Sequence, residues 1–298
     1  MIRVAAVGDV HLGRGSAGSL RPHVERLPDQ ADLLLIAGDL TTCGHPEEAR
    51  VAAAELAGLP VPVVAVLGNH DCHAGREDEV RDELEAGGIR VLEGQAATFE
   101  VDGLRVGVAG AKGFGGGFLG ACASDFGEPE MKAFVGHTKG VAERLHAALA
   151  GVEAEVRIAL LHYSPVADTL DGERREIYPF LGSYLLGEAV DRAGADLVLH
   201  GHAHRGREVG ATLGGMPVRV LALEDVLCSM LLARNEVYLD FVGPLRVARA
   251  LREQIDWAEI RRRTAGSPYA IGFLALVEAL GLLPVPASID DLERARTP

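Results

Sequence analysis

Five apolar runs in this chain each stop at a small polar cluster, and that repetition constrains the fold more than any other feature. Ile2-Arg3-Val4-Ala5-Ala6-Val7 breaks at Gly8 into Asp9-Val10-His11, and Leu33-Leu34-Leu35-Ile36 ends in Ala37-Gly38-Asp39. Val63-Val64-Ala65-Val66-Leu67 ends in Gly68-Asn69-His70-Asp71. Ile158-Ala159-Leu160-Leu161 ends directly in His162, and Leu197-Val198-Leu199 leads into His200-Gly201-His202-Ala203-His204. Short apolar runs of this kind read as buried strands. Polar residues crowded behind glycine at strand ends are costly for folding alone, yet open α/β sheets place their ligand crevices there.

The segments between the runs alternate in type. Pro46 to Leu56 is rich in Ala and Glu, has Pro at a helix-starting position, and reads as a surface helix. Arg76 to Ala86 reads as a charged helix closed by Gly87-Gly88, and Val141 to Leu149 and Leu185 to Ala193 as two more. Asp102-Gly103 between Ala97–Val101 and Leu104–Ala109 is a hairpin signal, and Val218 to Leu221 is a last strand. Helices alternating with strands predict α/β layering with some antiparallel pairing. Ala111 to Gly127 is a glycine-rich loop containing Lys112, Phe114 and Phe118. Its Gly113–Gly120 stretch lacks the spacing of a nucleotide P-loop, so a substrate-side loop and a plain connection both stay open.

At 298 residues the chain can form one large domain, or one with an appendage. A net charge of −14 argues against a nucleic-acid-coating protein, which needs a basic face. Metal cations can still reverse the local field and admit an anionic substrate. Cys43, Cys72, Cys122 and Cys228 show no C-x-x-C spacing, which argues against a zinc ribbon or disulfide framework as the organising device. No basic-then-apolar leader pattern opens the chain, and Tyr269 to Leu283, interrupted by Glu278, is short for a bilayer span. The expected location is the cytoplasm.

Residues 244–298 carry 8 Arg against 7 acidic residues, so the negative charge belongs to the rest of the chain. The expected division is therefore a catalytic domain over 1–240 and a helical extension over 241–298, broken at Gly266-Ser267-Pro268 and Pro284. Arg261-Arg262-Arg263 reads as a solvated helix face, and the apolar Tyr269–Leu283 stretch as a core helix or a contact between subunits.

Asp, Asn and His are oxygen and imidazole donors suited to borderline divalent metals such as Mn²⁺, Fe²⁺ or Zn²⁺. The strand-end clusters hold too many of them for one tetrahedral zinc, whereas two metals sharing a carboxylate would use them all. His23, His45, His73, His137 and His146 stand outside the clusters and are set aside as structural or incidental.

Asp-x-His, Gly-Asp, Gly-Asn-His-Asp, His and Gly-His-x-His, in this order over residues 1 to 224, make the chain resemble the calcineurin-like metallophosphoesterases. The resemblance implies a four-layer αββα sandwich, two mixed sheets flanked by helices, with a dinuclear centre at the strand ends. It implies Asp9, His11, Asp39 and His204 as ligands of one metal, and Asn69, His162, His202 and the shared Asp39 as ligands of the other. His70 then resembles a general acid beside the metals. Leu40-Thr41, Gly44 and Glu47-Glu48 resemble the phosphodiesterase-like branch. One departure is Thr42, where many members carry an acidic residue; Asp71 is the candidate substitute.

The expected activity is that of a phosphoesterase, cleaving diesters of a small phosphorylated compound. Two divalent ions, Mn²⁺ or iron with Zn²⁺ as the other option, clamp the phosphoryl group and activate a bridging water, and His70 protonates the leaving oxygen. A DNA-processing nuclease of the same superfamily is the alternative, against which the missing basic surface counts. A catalytically inactive scaffold is the third, but such members lose ligands and none is lost here.

Overall fold

The computed structural model describes residues 2–204, 206, 207, 209–220, 227, 231, 241, 244, 245, 248, 249, 255 and 257–283. Strands β1 (Val4–Val7), β2 (Leu33–Ala37), β3 (Val63–Val66) and β4 (Arg90–Val91) form one sheet in that order, every pair parallel. Strands β5 (Gln95–Val101) and β6 (Leu104–Ala111) follow, then a small ribbon of β7 (Gly117–Phe118) and β8 (Ala121–Cys122). The second sheet adds β9 (Val156–Leu161), β10 (Leu197–His200), β11 (Val209–Ala211) and β12 (Pro217–Val220), in the order β11-β12-β10-β9-β6-β5. It is mixed: its outer pairs are antiparallel and its inner pairs parallel.

The period-2 alternation of side chains assigns each strand residue to a layer. On β2, Leu33, Leu35 and Ala37 face the second sheet, where they meet Val106, Val108, Ile158 and Leu160. Leu34 and Ile36 face outward onto α2 (Pro46–Leu56) and α3 (Glu77–Ala86), which follow the single-turn α1 (Arg21–Val24), against Ala49, Ala52, Leu56, Val80 and Leu84. On β9, Ala159 and Leu161 face the opposite way, against α4 (Pro129–Gly151) and, after the short α5 (Tyr178–Leu181), α6 (Tyr184–Ala193), through Val141, Leu145, Leu186 and Val190. Strands buried on both faces need apolar residues throughout, which is why β2 reads Leu-Leu-Leu-Ile-Ala without a polar break. These are the four layers of an αββα sandwich. Asp102 (φ 50) and Gly103 (φ 76) close the predicted hairpin, pairing Val101 with Leu104.

Several local expectations are revised. The helix expected at Val141–Leu149 begins at Pro129. Gly136 and Gly140 weaken the helical signal there, while tertiary contact sustains it: buried Thr138 donates to Gly115 O at 2.6 Å. The helix read as a surface element, α2, buries Glu48 and Glu55. Glu55 accepts from the backbone N–H groups of Gly18, Leu20 and Arg21, and Glu48 from that of Cys43, so both anchor loops. The glycine-rich loop is also tied down, Gly116 N donating to Pro179 O at 2.7 Å and Gly117 N to Gly182 O at 2.9 Å.

The chain divides into two units, Met1–Val226 and Leu227–Pro298. In the second, two helices cover Trp257–Arg263 and Pro268–Ala279. The latter buries Ala270, Phe273, Leu274 and Val277 and leaves Ile271 exposed. Arg261 and Arg262 are exposed, and Arg262 pairs with Glu259. Leu221, Cys228 and Pro284 lie outside the described residues. Among those described, no helix is long and apolar enough to cross a membrane.

Candidate metal centre

The carboxyl ends of β1, β2 and β3 in one sheet meet those of β9 and β10 in the other. His202 N donates to the Asp9 carboxylate at 3.1 Å, and the His162 ring bonds to Ala37 O across the sheets. The backbone turns sharply here. Asp9 (φ 55), His11 (φ 44), Asp39 (φ 52) and His202 (φ 67) all adopt left-handed conformations, and the only other non-glycine residue described with positive φ is Asp102 in the hairpin. Such conformations cost about 1–3 kcal/mol each and persist only where surrounding structure enforces them. Gly68 shows how tight that enforcement is: a Cβ there would lie 2.0 Å from Asp39 Oδ1.

The strain aims side chains at common points. Three groups offer ligand atoms within 4.8 Å of one another: Asp9, His11 and His204; His11, Asp39 and His70; Asp39, His162 and His202. Asp39, only 1% exposed, belongs to two of them. His11 Nε2 lies 3.7 Å from Asp39 Oδ2, His162 Nε2 3.5 Å from Asp39 Oδ1, and His204 Nε2 3.7 Å from Asp9 Oδ1. These separations exceed hydrogen bonds and suit donors spread around ions bonded at roughly 2.0–2.2 Å. Asn69 Oδ1 sits 2.8 Å from His162 Nε2. All seven expected ligands therefore gather in one cleft, with His70 at its exposed edge.

Burial sets the protonation states. It holds His162 and His202 at about 3 and His11 at about 4, and it lowers His204, so these imidazoles are neutral at physiological pH. Burial, reinforced by the charge of Asp39, also raises Asp9 well above the usual carboxylate range. His162 Nδ1 can only donate to its partner, Ala37 O at 2.8 Å. A neutral ring then presents its Nε2 lone pair directly to Asn69 Oδ1. A cation between these two atoms, with a carboxylate oxygen beside them, satisfies both lone pairs at once. The donor set and the fixed tautomer thus fit divalent metal.

His70 is held from two sides. Its backbone N donates to Asp39 Oδ1 at 2.9 Å, and its Nδ1 donates to Thr42 O at 2.8 Å, leaving Nε2 directed away from the backbone. Its ring stands edge-on to that of His11, centroids 4.5 Å apart.

A sequence model of the calcineurin-like phosphoesterases matches residues 2–206. The chain belongs to the calcineurin-like phosphoesterase family. It is 35% identical over 63 residues to glycerophosphodiester phosphodiesterase GpdQ of Enterobacter lignolyticus (strain SCF1), a match covering 21% of this chain and 22% of that protein. The similarity thus spans about a fifth of that relative's length. Phosphopantetheinyl hydrolase (PptH) of Mycobacterium tuberculosis shares the fold: TM-score 0.56 at 16% identity, over 74% of this chain and 89% of that chain.

Two partners around this cleft, Thr42 and His200, carry little or no signal in the sequence. Thr42 supplies a backbone carbonyl to His70 at the position where a carboxylate is common in the family, and main-chain atoms leave no residue signal. Asp71, the candidate substitute, faces the other way and binds Leu40 N, Thr41 N, Thr41 Oγ1 and Gly68 N. His200, fully buried, donates from Nδ1 to Gly201 O at 2.7 Å and accepts at Nε2 from Thr169 Oγ1 at 2.9 Å. It braces the turn that carries His202 and His204. Its only signal is a histidine ending an otherwise apolar strand.

Proposed function

We propose that this cleft is a dinuclear centre hydrolysing phosphodiesters. The observation that carries the reading is the convergence of His162 Nε2, Asn69 Oδ1 and Asp39 Oδ1, lone pairs facing one another inside a buried pocket. Asp9, His11, Asp39 and His204 would hold one divalent ion, and Asn69, His162, His202 and the shared Asp39 the other. Oxygen and imidazole donors suit Mn²⁺ or iron, with Zn²⁺ as the third option. Bound there, the ions would supply positive charge to the phosphoryl oxygens and activate water as a nucleophile.

The chain's own residues do the rest. Asp39, anchored by His70 N, fixes the spacing of the two halves. Ala37 O holds His162 in the tautomer that points Nε2 inward, and Phe180 O, 3.3 Å from His202 Nε2, does the same for His202 Nδ1. Thr42 O orients His70 so that a protonated Nε2 delivers its proton to the departing alkoxide, leaving the ring neutral. The preference for diesters rests on the resemblance around Gly38–Glu48 and on the glycerophosphodiester activity of the named relative. The same proposal includes a small phosphorylated substrate rather than nucleic acid, a cytoplasmic setting, and an extension over 241–298 that mediates self-association.

The test is a hydrolysis panel of mono- and diesters after the native metals are stripped and Mn²⁺, Fe²⁺ or Zn²⁺ restored. Metal-dependent turnover of diesters ahead of monoesters is the expected result. No turnover with any of the three ions would overturn the reading.

A further inference from the structure

A sixth strand ends at the edge that carries the cleft. Strand β6 runs parallel to β9, pairing Ala111 with Leu161, so the residue after it, Lys112, emerges beside His162. Both His162 N and Tyr163 N donate to Lys112 O, at 3.1 and 2.9 Å. The half-buried side chain leads to an ammonium that donates to Cys72 Sγ at 3.5 Å, and Cys72 N in turn bonds Asn69 O. That puts a cation one short turn from a proposed metal ligand.

Its surroundings leave the charge available. Glu93 accepts from the Lys112 backbone N at 3.1 Å, and the Lys112 charge partly offsets the burial that raises its carboxyl, but no described carboxylate comes within ion-pair distance of the ammonium. A partly desolvated cation without an ion-pair partner is costly in a protein of net charge −14, which offers carboxylates elsewhere in plenty. The backbone is also built to present it. Gly113 has φ +84, and a Cβ there would lie 2.9 Å from Tyr163 Cβ and 3.1 Å from Leu186 Cδ1, so only glycine lets the chain pass. That passage sets Phe114 6.0 Å from the Tyr163 ring, which also neighbours the His202 ring at 4.5 Å and the His162 ring at 5.6 Å. Lys112 and Tyr163 thus stand beside His162 and His202.

We propose that Lys112 is an anion subsite beside the metal centre, binding a second phosphoryl group on the substrate, next to the one that is cleaved. The inference rests on the reading of the Asp39 cleft as a phosphoester site and adds a substrate class to it: organic phosphates carrying two phosphoryl groups.

Binding rather than turnover tests it. The probes are propyl phosphate and propane-1,3-diol bisphosphate, which differ only in the second phosphate, titrated calorimetrically into the Mn²⁺-loaded full chain. Wild type is expected to bind the bisphosphate about 10-fold or more tightly than the monophosphate, the scale of one charge-assisted contact. Lys112→Met should abolish that preference with metal content unchanged, and Lys112→Arg should keep most of it. No preference in wild type, an undiminished preference in Lys112→Met, or equal weakening of both ligands would overturn the subsite. A Lys112-dependent preference in a protein that hydrolyses no ester would retain the subsite and remove the hydrolase reading instead.

Discussion

The loop around Asp71 and the cleft around Asp39 lie at the ends of neighbouring strands, and each buries an aspartate almost completely. Asp71 is saturated: three backbone N–H groups and the Thr41 hydroxyl converge on its two oxygens, all within 3.2 Å. Those bonds stitch the turn after β2 to the turn after β3. Asp39 receives one backbone N–H and otherwise faces the nitrogens of His11 and His162 at 3.5–3.7 Å. A buried carboxylate ringed by donors is already satisfied and acts as a clamp. One ringed by neutral imidazoles is not, and a cation completes it.

The sharpest way to break this contrast is Asp39→Asn. If Asp39 serves both halves of the centre, the substitution removes charge from each, with activity down by about 10⁴-fold or more. Elemental analysis after dialysis should show both metals depleted; two full equivalents retained would refute the shared carboxylate. Asn69→Ala should deplete chiefly one.

His70→Ala comes next in size. As a proton donor it matters only where the departing oxygen is strongly basic, so the loss should be roughly 10²–10⁴-fold on an alkyl phosphodiester and much smaller on a p-nitrophenyl ester. An unchanged ratio of kcat values for the two leaving groups would take His70 out of the acid role, and loss of a metal would place it among the ligands.

Asp71→Asn probes the clamp. The amide turns a second donor toward N–H groups that need an acceptor, which should cost about 2–4 kcal/mol of stability. The prediction is a lower denaturant midpoint with the metal stoichiometry of the folded fraction intact. A stable protein that has lost metal would mean Asp71 belongs to the centre after all.

Acidity tests the neutral imidazoles in protein stripped with a chelator. His162 and His202 stand at about 3 and His11 at about 4 in the fold, against 6.5 unfolded. The unfolded chain therefore takes up more protons between those values, so stability is complete above 6.5 and is lost as pH falls toward 4. Metal-free protein should accordingly melt several degrees lower at about pH 5 than at about pH 7.5. A Tm that is flat or rises on acidification would show that proton uptake by the raised Asp9 and Asp71 carboxyls outweighs the imidazoles.

The two aspartates also mark where residue patterns carry information. Val63 to Leu67 announces a buried strand because all its residues are apolar, and Gly68-Asn69-His70-Asp71 announces a site because such residues are costly at a strand end without a purpose. From there α/β layering and the gathering of Asp9, His11, Asp39, Asn69, His162, His202 and His204 were legible, while the four-layer arrangement came with the resemblance to the calcineurin-like phosphoesterases. The first half of α4 was not, because Gly136 and Gly140 dilute its helical signal and a tertiary hydrogen bond from Thr138 compensates. Nor was the burial of Glu48 and Glu55, since a helix rich in Ala and Glu looks solvated until loops fold over it.

The sequence by itself determined which residues would be donors and, through strands whose apolar runs all stop at one edge, that they would meet. Only the tertiary structure decided what each does there. Asp39 and Asp71 have the same side chain, and only the atoms brought against them from distant loops separate a proposed ligand from a clamp. The partners that orient His70, His162 and His202 are the carbonyls of Thr42, Ala37 and Phe180. Every residue has such a carbonyl, so its direction is a property of the fold alone. Lys112 is the clearest instance: an ordinary lysine in a glycine-rich stretch, brought to the edge of the cleft because β6 pairs in parallel with β9.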